Sequence, residues 1–405
     1  MRSISCRSAA LAAAAAGAVA CALGAPTAHA QERLVTLRLG YAVTWDDNVF
    51  RVPDDVTDPE IGRGNAGRSD RFSTASVGLS LNKAFSLQRI LLDVAAAAVR
   101  YDKFSSQDQD PFGYRGAWQW QLTQRMSGTL SASRDETRVP IEDIEGSRRI
   151  DRRVTSVAAT ADASIWGGWH LLGSVSEAET TYSEPFLAQP DTTQTVAEAG
   201  LRYVARSNSQ LTVRRRSTRG TETVFDPAIF GGSDFTLDET EVDATWIASG
   251  RSTVHARVTW LERSHQLLPQ RDFSGTAGEL RFAWKATGKV DVNLSATRSI
   301  EPYNLSIGST TRVDDTITAA LLWQLGARTA LRSTASRRES RFGQPATSSE
   351  PARRDITDIV EVGASWSPQR NVTLDARLSH QQRTSTDALQ TFDADIASVS
   401  VAFTF

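Results

Sequence analysis

The acidic and basic clusters of this sequence are its most obvious candidates for chemistry. Arg214-Arg215-Arg216 is the densest basic run, and arginines that share one face would favour anions. Asp46-Asp47 and Asp54-Asp55 place four carboxylates close together in the sequence, and carboxylate oxygens bind hard cations. The residue spacing of a calcium-binding loop is absent, so we predict no metal site there.

The histidines and cysteines are the candidates for catalysis and for a thiolate metal centre. His265 and His380 could serve as general bases if each met a serine and a carboxylate. Serine and aspartate are so common in this sequence that such proximity carries little weight, and we predict no catalytic residue and no cofactor. Cys6 and Cys21 both lie in the first thirty residues, which leaves no thiolate for a metal site beyond them.

The composition excludes several classes of protein. The 45 basic and 47 acidic residues nearly cancel, so the basic excess of a nucleic-acid-binding protein is missing. Mean hydropathy is −0.32, and no stretch after residue 30 approaches the roughly 20 apolar residues of a membrane helix. The 15 Phe, 10 Trp and 6 Tyr argue against a disordered chain. Helical transporters and channels are therefore excluded.

Residues 1–30 have the features of an export signal. Two arginines precede an Ala-rich apolar run, and Ala28-His29-Ala30 forms a small-x-small cleavage pattern. We expect a signal peptide cleaved after Ala30, followed by one domain over residues 31–405. A lipoprotein acylated at Cys21 is the alternative, although the large aliphatic residue normally found upstream is missing.

Beyond residue 30, apolar and polar residues alternate with a period of two, which indicates β-strands. No segment shows the 3.6-residue period of an amphipathic helix. Eighteen strands are predicted, near residues 34–46, 71–83, 88–103, 111–123, 127–138, 151–165, 169–183, 193–206, 210–219, 236–248, 252–265, 273–286, 290–301, 311–325, 329–341, 354–367, 371–385 and 391–405.

The connections between these strands alternate between short and long. Those after even-numbered strands have tight-turn chemistry, as at Gly167-Gly168 and Gly288-Lys289. Those after odd-numbered strands are mostly longer and polar, as at 47–70 and 139–150. This alternation is typical of a transmembrane antiparallel β-barrel, so we predict an all-β barrel of about 18 strands (16–18) with both termini in the periplasm.

Charged and amide side chains occupy the second face of the strands. A β-sandwich would bury that face and fill it with apolar side chains, so a charged face must meet water. We predict a polar lumen whose substrate path is lined by Arg38, Arg202, Arg214, Arg216, Asp243, Arg257, Glu279, Arg281, Glu361 and Arg377. For Arg214 and Arg216, two roles stay open: selection of anions, or salt bridges to neighbouring carboxylates such as Glu198.

Tryptophans gather near the ends of the even-numbered strands, just before the short turns. Core aromatics of a soluble β protein would have no reason to collect at one end of the strands. We predict an aromatic girdle at the periplasmic membrane interface, formed by Trp118, Trp120, Trp166, Trp246, Trp284, Trp323 and Trp366.

Two segments carry a resemblance to known proteins. The strand that ends in Phe405 is similar to the C-terminal signal that the barrel-assembly machinery recognises in Gram-negative outer-membrane proteins. The segment with Asp46, Asp47, Asn48, Phe50 and Arg51 resembles the D-D-N-hydrophobic-[FY]-R motif of porin-type β-barrels from exopolysaccharide biosynthesis operons (EpsL-like). The resemblance implies an outer-membrane protein of polysaccharide synthesis and export, and no catalytic residue.

We therefore expect a porin-like conduit for exopolysaccharide export in the outer membrane of a Gram-negative bacterium. A general or anion-preferring diffusion porin for small hydrophilic solutes is the alternative; an outer-membrane enzyme and an adhesive barrel are weaker ones. The expected partners are outer-membrane lipid and lipopolysaccharide, the barrel-assembly machinery, a periplasmic export partner and the polysaccharide, with no nucleic acid. An energy source must lie elsewhere, because the sequence has no nucleotide-binding loop.

Overall fold

The computed structural model describes residues 34–53, 67–139, 149–184, 191–222, 234–267, 269–302, 311–343 and 352–405. These residues form eighteen strands and three short 3₁₀ turns, and none of their helices is long and apolar enough to cross a membrane. The predicted signal peptide lies outside the described residues. The strands are β1 (Val35–Asp46), β2 (Asp70–Phe85), β3 (Gln88–Tyr101), β4 (Phe112–Thr123), β5 (Met126–Arg138), β6 (Asp151–Trp166), β7 (Trp169–Tyr182), β8 (Thr192–Val204), β9 (Gln210–Glu222), β10 (Asp234–Ser249), β11 (Ser252–His265), β12 (Phe273–Lys285), β13 (Val290–Pro302), β14 (Thr311–Gln324), β15 (Thr329–Phe342), β16 (Arg354–Gln369), β17 (Val372–Ser385) and β18 (Phe392–Thr404).

All eighteen strands belong to one closed antiparallel sheet. Each strand pairs with its neighbours in the sequence, and β1 also pairs with β18 to complete the cylinder. At this seam, Leu37 and Phe405 exchange both backbone hydrogen bonds, at 3.1 and 2.8 Å. The predicted fold class is confirmed, and each observed strand lies within a few residues of its expected limits.

The seam joins the two strands that are farthest apart in the sequence. The register runs from Arg38 opposite Thr404 to Asp46 opposite Ile396. The start of β1 and the end of β18 therefore lie at the end of the barrel that carries the short turns, as an even number of antiparallel strands requires. The long connections lie at the opposite end, which we call the loop end.

The outward face of the wall is apolar over a band of limited height. On β1, every second residue from Val35 to Trp45 points outward, and most of these side chains are 36–50% exposed. Ten residue steps of about 3.3 Å at a tilt of about 40° give a band roughly 25 Å tall. This height matches the hydrocarbon layer that a membrane barrel must cover.

Buried side chains are concentrated at the loop end. Of the twelve buried apolar residues among those described, only Ala330 lies beside a short turn. Phe50 packs against Phe104 with ring centroids 4.7 Å apart, and Val139 packs against Ile150. These clusters form a packed collar at the loop end, whereas the middle of the inner wall stays partly exposed.

The seven tryptophans of the predicted girdle point outward at the short-turn end. Six of them are 44–79% exposed, as expected for rings that face lipid rather than a protein core. Trp120 differs, because its ring lies over Gly128 on the neighbouring strand. A Cβ atom at Gly128 would overlap both this ring and the carbonyl oxygen of Thr160, so only glycine fits there.

We predict that Gly128→Ala lowers the free energy of unfolding by about 1–3 kcal/mol, the usual cost of overpacking. Urea unfolding of the barrel in phospholipid vesicles, followed by tryptophan fluorescence, measures the change. Gly173→Ala is the matched control, because an added Cβ there meets no atom within 4 Å. Equal midpoints for the two variants would show that the Trp120 contact does not constrain the wall.

Candidate functional site

The inner wall carries the predicted path residues in cross-strand rows. Arg38, on β1, reaches over β2 to Asp93 on β3 at 3.3 Å. Glu361 and Arg377 pair between β16 and β17 at 3.3 Å. Register and alternation place all ten predicted residues on this face. Whether they line a substrate path stays a prediction.

Arg214 and Arg216 lie between two strands that supply carboxylates. Arg216 contacts Glu198 on β8 at 2.7 Å and Glu239 on β10 at 3.3 Å. Arg214 contacts Glu241 at 3.2 Å. Three glutamates thus surround two arginines, so this pair adds no net positive field. The geometry favours the second of the two roles left open for these arginines, salt bridges within the wall.

A second row crosses β10, β11 and β12. Asp243, Arg257 and Glu279 lie directly opposite one another in the register. Arg257 donates to Glu279 at 2.8 Å, and Arg281 also bonds Glu279. His255 contacts Asp243 at 2.8 Å. Because the sign of the charge alternates between these adjacent strands, each charged side chain has a partner of opposite charge beside it. The side chains of Arg257 and Arg281 stay 37–39% exposed toward the lumen.

Asp162, His170 and Arg202 form a third row across β6, β7 and β8. His170 contacts Asp162 at 2.8 Å, and Arg202 donates to the other oxygen of the same carboxylate. A single carboxylate therefore serves two cationic or polar groups. In all three rows, side chains of opposite charge pair mainly between strands that are adjacent or one strand apart.

The Asp46–Arg51 segment lies at the loop end, beside the seam. Arg51 donates two hydrogen bonds of 2.9 Å to the two oxygens of Asp46, and its φ of +53° turns the chain sharply. Phe50 then packs against Phe104 and the half-buried Tyr101. The segment folds back onto the inner wall. The carboxylates of Asp54 and Asp55 lie outside the described residues.

Two residues of this segment, Asn48 and Asp47, bond directly to β18. The Asn48 side chain donates to the carbonyl oxygen of Asp393 at 2.8 Å. The Asp47 backbone donates to the Asp395 carbonyl at 3.2 Å, and the Asp47 side chain accepts from the Asp395 amide at 2.7 Å. Burial raises the pKa of Asp47, and the nearby carboxylates of Asp395 and Asp46 raise it further. We call residues 46–51 the seam clamp, because they extend the pairing of β1 and β18 past the end of β1.

The collar contains functional candidates that the sequence did not reveal. Three buried phenylalanines point inward near the loop end, each with an arginine over its ring. The closest pair is Arg263 over Phe235 at 3.6 Å, and Arg263 also donates to Glu222 at 2.8 Å. An apolar residue on the otherwise polar face of a strand was the available signal. The other two pairs are Arg353 over Phe342 and Arg383 over Phe392.

The two candidate catalytic histidines bond carboxylates. His265 contacts Asp272 at 3.0 Å and accepts from Arg263 at 3.2 Å. His380 contacts Asp395 at 2.9 Å and points outward, away from the lumen. Within the described part of the chain, neither ring has a serine among its hydrogen-bond partners.

We predict that Arg51→Ala lowers the free energy of unfolding by about 3–5 kcal/mol, because it leaves the carboxylate of Asp46 buried without its ion-pair partner. The side chains of this pair are only 11% and 8% exposed. The change in the free energy of unfolding is measured from the heat- or urea-induced loss of the compact band in cold SDS gels.

Arg337→Ala is the control for that experiment. Arg337 and Asp358 form an outward pair at 3.6 Å, with side chains 65% and 44% exposed, so their separation should cost at most about 1 kcal/mol. If Arg51→Ala behaved like this control, the clamp would contribute nothing to closure of the seam.

Comparisons with known proteins agree with this geometry. The family described as Putative beta-barrel porin 2 matches residues 253–405, which is less than half of the chain. No curated protein matches the sequence. Three solved Pseudomonas aeruginosa structures are similar in fold. OccK9 (OpdG) has a TM-score of 0.51 and 11% identity, and the match covers 92% of this chain and 97% of that chain. OccK2 (OpdF) in complex with glucuronate has a TM-score of 0.51 and 9% identity, with 92% of this chain and 98% of that chain covered. OpdK with vanillate has a TM-score of 0.50 and 9% identity, with 92% of this chain and 98% of that chain covered.

These likenesses concern the fold, because the sequence identities are low. The eighteen strands, the closed seam and the apolar outer band agree with them. The fold of this chain is that of an outer-membrane porin-type β-barrel.

Proposed function

We propose that this protein is a conduit that exports an exopolysaccharide through a polar lumen in the outer membrane. The observation that carries the proposal is the inner wall, where arginines and carboxylates pair with one another across adjacent strands. A wall without excess charge holds no strong site for an ion. A hydroxyl-rich polymer needs such a path, because a tight site would trap it.

The paired charges also supply the hydrogen-bonding groups that a sugar polymer requires. The guanidinium groups of Arg257 and Arg281 keep exposed donor groups toward the lumen while their carboxylate partner is nearly covered. Donors held in place by a salt bridge can exchange hydroxyl partners with little rearrangement. The resemblance of the Asp46–Arg51 segment to the EpsL-like motif supports the polysaccharide as the substrate.

Diffusion of small hydrophilic solutes is the second candidate. Two proteins of similar fold, OccK2 in complex with glucuronate and OpdK with vanillate, hold small organic molecules. A strong preference for anions is the less favoured form of this alternative, because Arg214 and Arg216 are surrounded by glutamates. The collar at the loop end would then select by size rather than by charge.

The proposal includes an orientation and a route to the membrane. A signal peptide cleaved after Ala30 would deliver the chain to the periplasm, and the assembly machinery would recognise the strand that ends at Phe405. The short-turn end, with its tryptophan girdle, would face the periplasm. A periplasmic partner must supply the polymer and the energy for its movement.

We predict that deletion of the gene removes polysaccharide from the cell surface and leaves polymer in the periplasm. Chemical quantification of both fractions measures this, and the intact gene should restore the surface polymer. Unchanged surface polymer in the deletion strain would reject polysaccharide export and leave the small-solute conduit.

We predict that the double variant Glu198→Gln/Glu239→Gln makes the pore prefer anions. It removes two of the three carboxylates that neutralise Arg214 and Arg216, and free arginines in a lumen attract anions. The reversal potential in planar bilayers under a salt gradient measures the shift. Arg216→Gln should move the reversal potential in the opposite direction, and an unchanged potential in both variants would place this cluster away from the ion path.

A further inference from the structure

The outer surface changes from apolar to charged at one level near the loop end. Leu378 on β17 is followed, two residues on, by the outward His380, and Ala397 on β18 is preceded by the outward Asp395. Other strands place ion pairs at a similar level, such as Arg215–Asp238 at 3.3 Å. In the proposed orientation, this is the level of the lipid headgroups of the outer leaflet.

A cleft of about 650 Å³ crosses this boundary beside the seam. Its lower part is apolar and consists of Trp45, Val360, Val362, Leu378 and Ala397. The small side chain of Ala397 lies opposite Trp45 on β1 and Leu378 on β17, both of which are bulky and exposed. The depression between them runs along the apolar band, where lipid acyl chains lie.

The upper part of the cleft is lined by ionisable groups of both signs. Arg71 pairs with Asp102 at 2.7 Å, and the Lys103 ammonium bonds the Ser69 carbonyl at 2.9 Å. Both side chains line the cleft on one side. His380 lies on the other side.

His380 has carboxylates at both ring nitrogens. Nδ1 lies 2.9 Å from Asp395, and Nε2 lies 3.6 Å from Asp393. One donor atom from each of these three residues lies within 4.8 Å of the other two. In the described part of the chain, neither aspartate pairs with an arginine or a lysine, so this side of the cleft carries excess negative charge.

We propose that this cleft binds a phosphorylated acyl-glycolipid of the outer leaflet, the lipid part of lipopolysaccharide, through a divalent cation. An acyl chain lies on the apolar floor. The cation is held by His380, Asp393 and Asp395, and it joins these groups to a lipid phosphate. Arg71 and Lys103 contact the phosphate groups from the opposite side.

The apolar lower part and the charged upper part of the cleft together indicate the class of ligand. A soluble anion would use the basic side but has no use for the apolar floor, and a neutral lipid would leave the carboxylates without a counter-charge. Excess carboxylate next to anionic phosphates is repulsive unless a cation lies between them. The site depends on the proposed orientation but not on what passes through the lumen.

Native mass spectrometry of the purified barrel in detergent, with added lipid A, tests the proposal. With Ca²⁺ present, we expect retention of lipid A, and EDTA should weaken it about tenfold or more, equivalent to about 1.4 kcal/mol. Ala397→Trp, which fills the floor, should cause a similar loss in Ca²⁺. Asp393→Asn/Asp395→Asn should bind equally weakly with and without Ca²⁺.

Two controls keep these outcomes specific. Val399→Trp adds the same ring one outward position below the cleft, and Asp358→Asn removes an outward carboxylate that already pairs with Arg337. Both should bind lipid A like the unmodified protein, and cold SDS gels should show every variant folded. Binding that ignores EDTA, binding that survives Ala397→Trp, or equal retention of phosphatidylglycerol would overturn the proposal. Conductance measured on the same variants should not change, which separates this site from the proposed conduit.

Discussion

Every backbone N–H and C=O group within hydrocarbon must find a partner inside the protein, and the rest of this structure depends on that constraint. A sheet can meet it only by closing on itself, because an open sheet leaves two unpaired edges. Here the closing contact is the pairing of β1 with β18, extended at one end by Leu37 with Phe405 and at the other by the seam clamp. Once the cylinder is closed, alternation alone assigns each side chain to lipid or to the lumen.

The fold could be predicted from the sequence because this assignment has a period of two. Strand limits, the alternation of connections and the outward tryptophans all follow from it, and residues such as Arg257 and Glu361 could be placed on the inner face. The ion-pair partners could not be predicted from the sequence, because they depend on the register between strands. Arg38, for example, passes over a whole strand to reach Asp93. Glu239 and Glu241, which neutralise the arginine run, were missed for this reason.

The collar could not be predicted from the sequence, for a different physical reason. Phe235, Phe342 and Phe392 occur where strands become loops, and a single apolar residue there does not disturb a strand's pattern. Their burial comes from arginines that lie distant in sequence or on another strand, as with Arg263 over Phe235. In the sequence, the seam clamp could be recognised only by its resemblance to a known motif. A run of Asp, Asn and Arg does not indicate that these residues bond the backbone of Asp393 and Asp395.

The inner and outer faces of the barrel wall carry the same types of charged residue in opposite surroundings. Inside, charges pair across strands in water, and outside they begin only beyond the apolar band.

The seam clamp also has a consequence for the order in which the molecule is built. Residues 46–51 leave the ribosome early, yet their partners at Asp393 and Asp395 lie about 345 residues later. Contacts of such long range carry a large loop-closure entropy and form late. Until β18 arrives, β1 is an exposed strand edge that could pair with another chain. The hydrogen bonds from the clamp to β18 therefore form only in a molecule whose last strand has paired with its first.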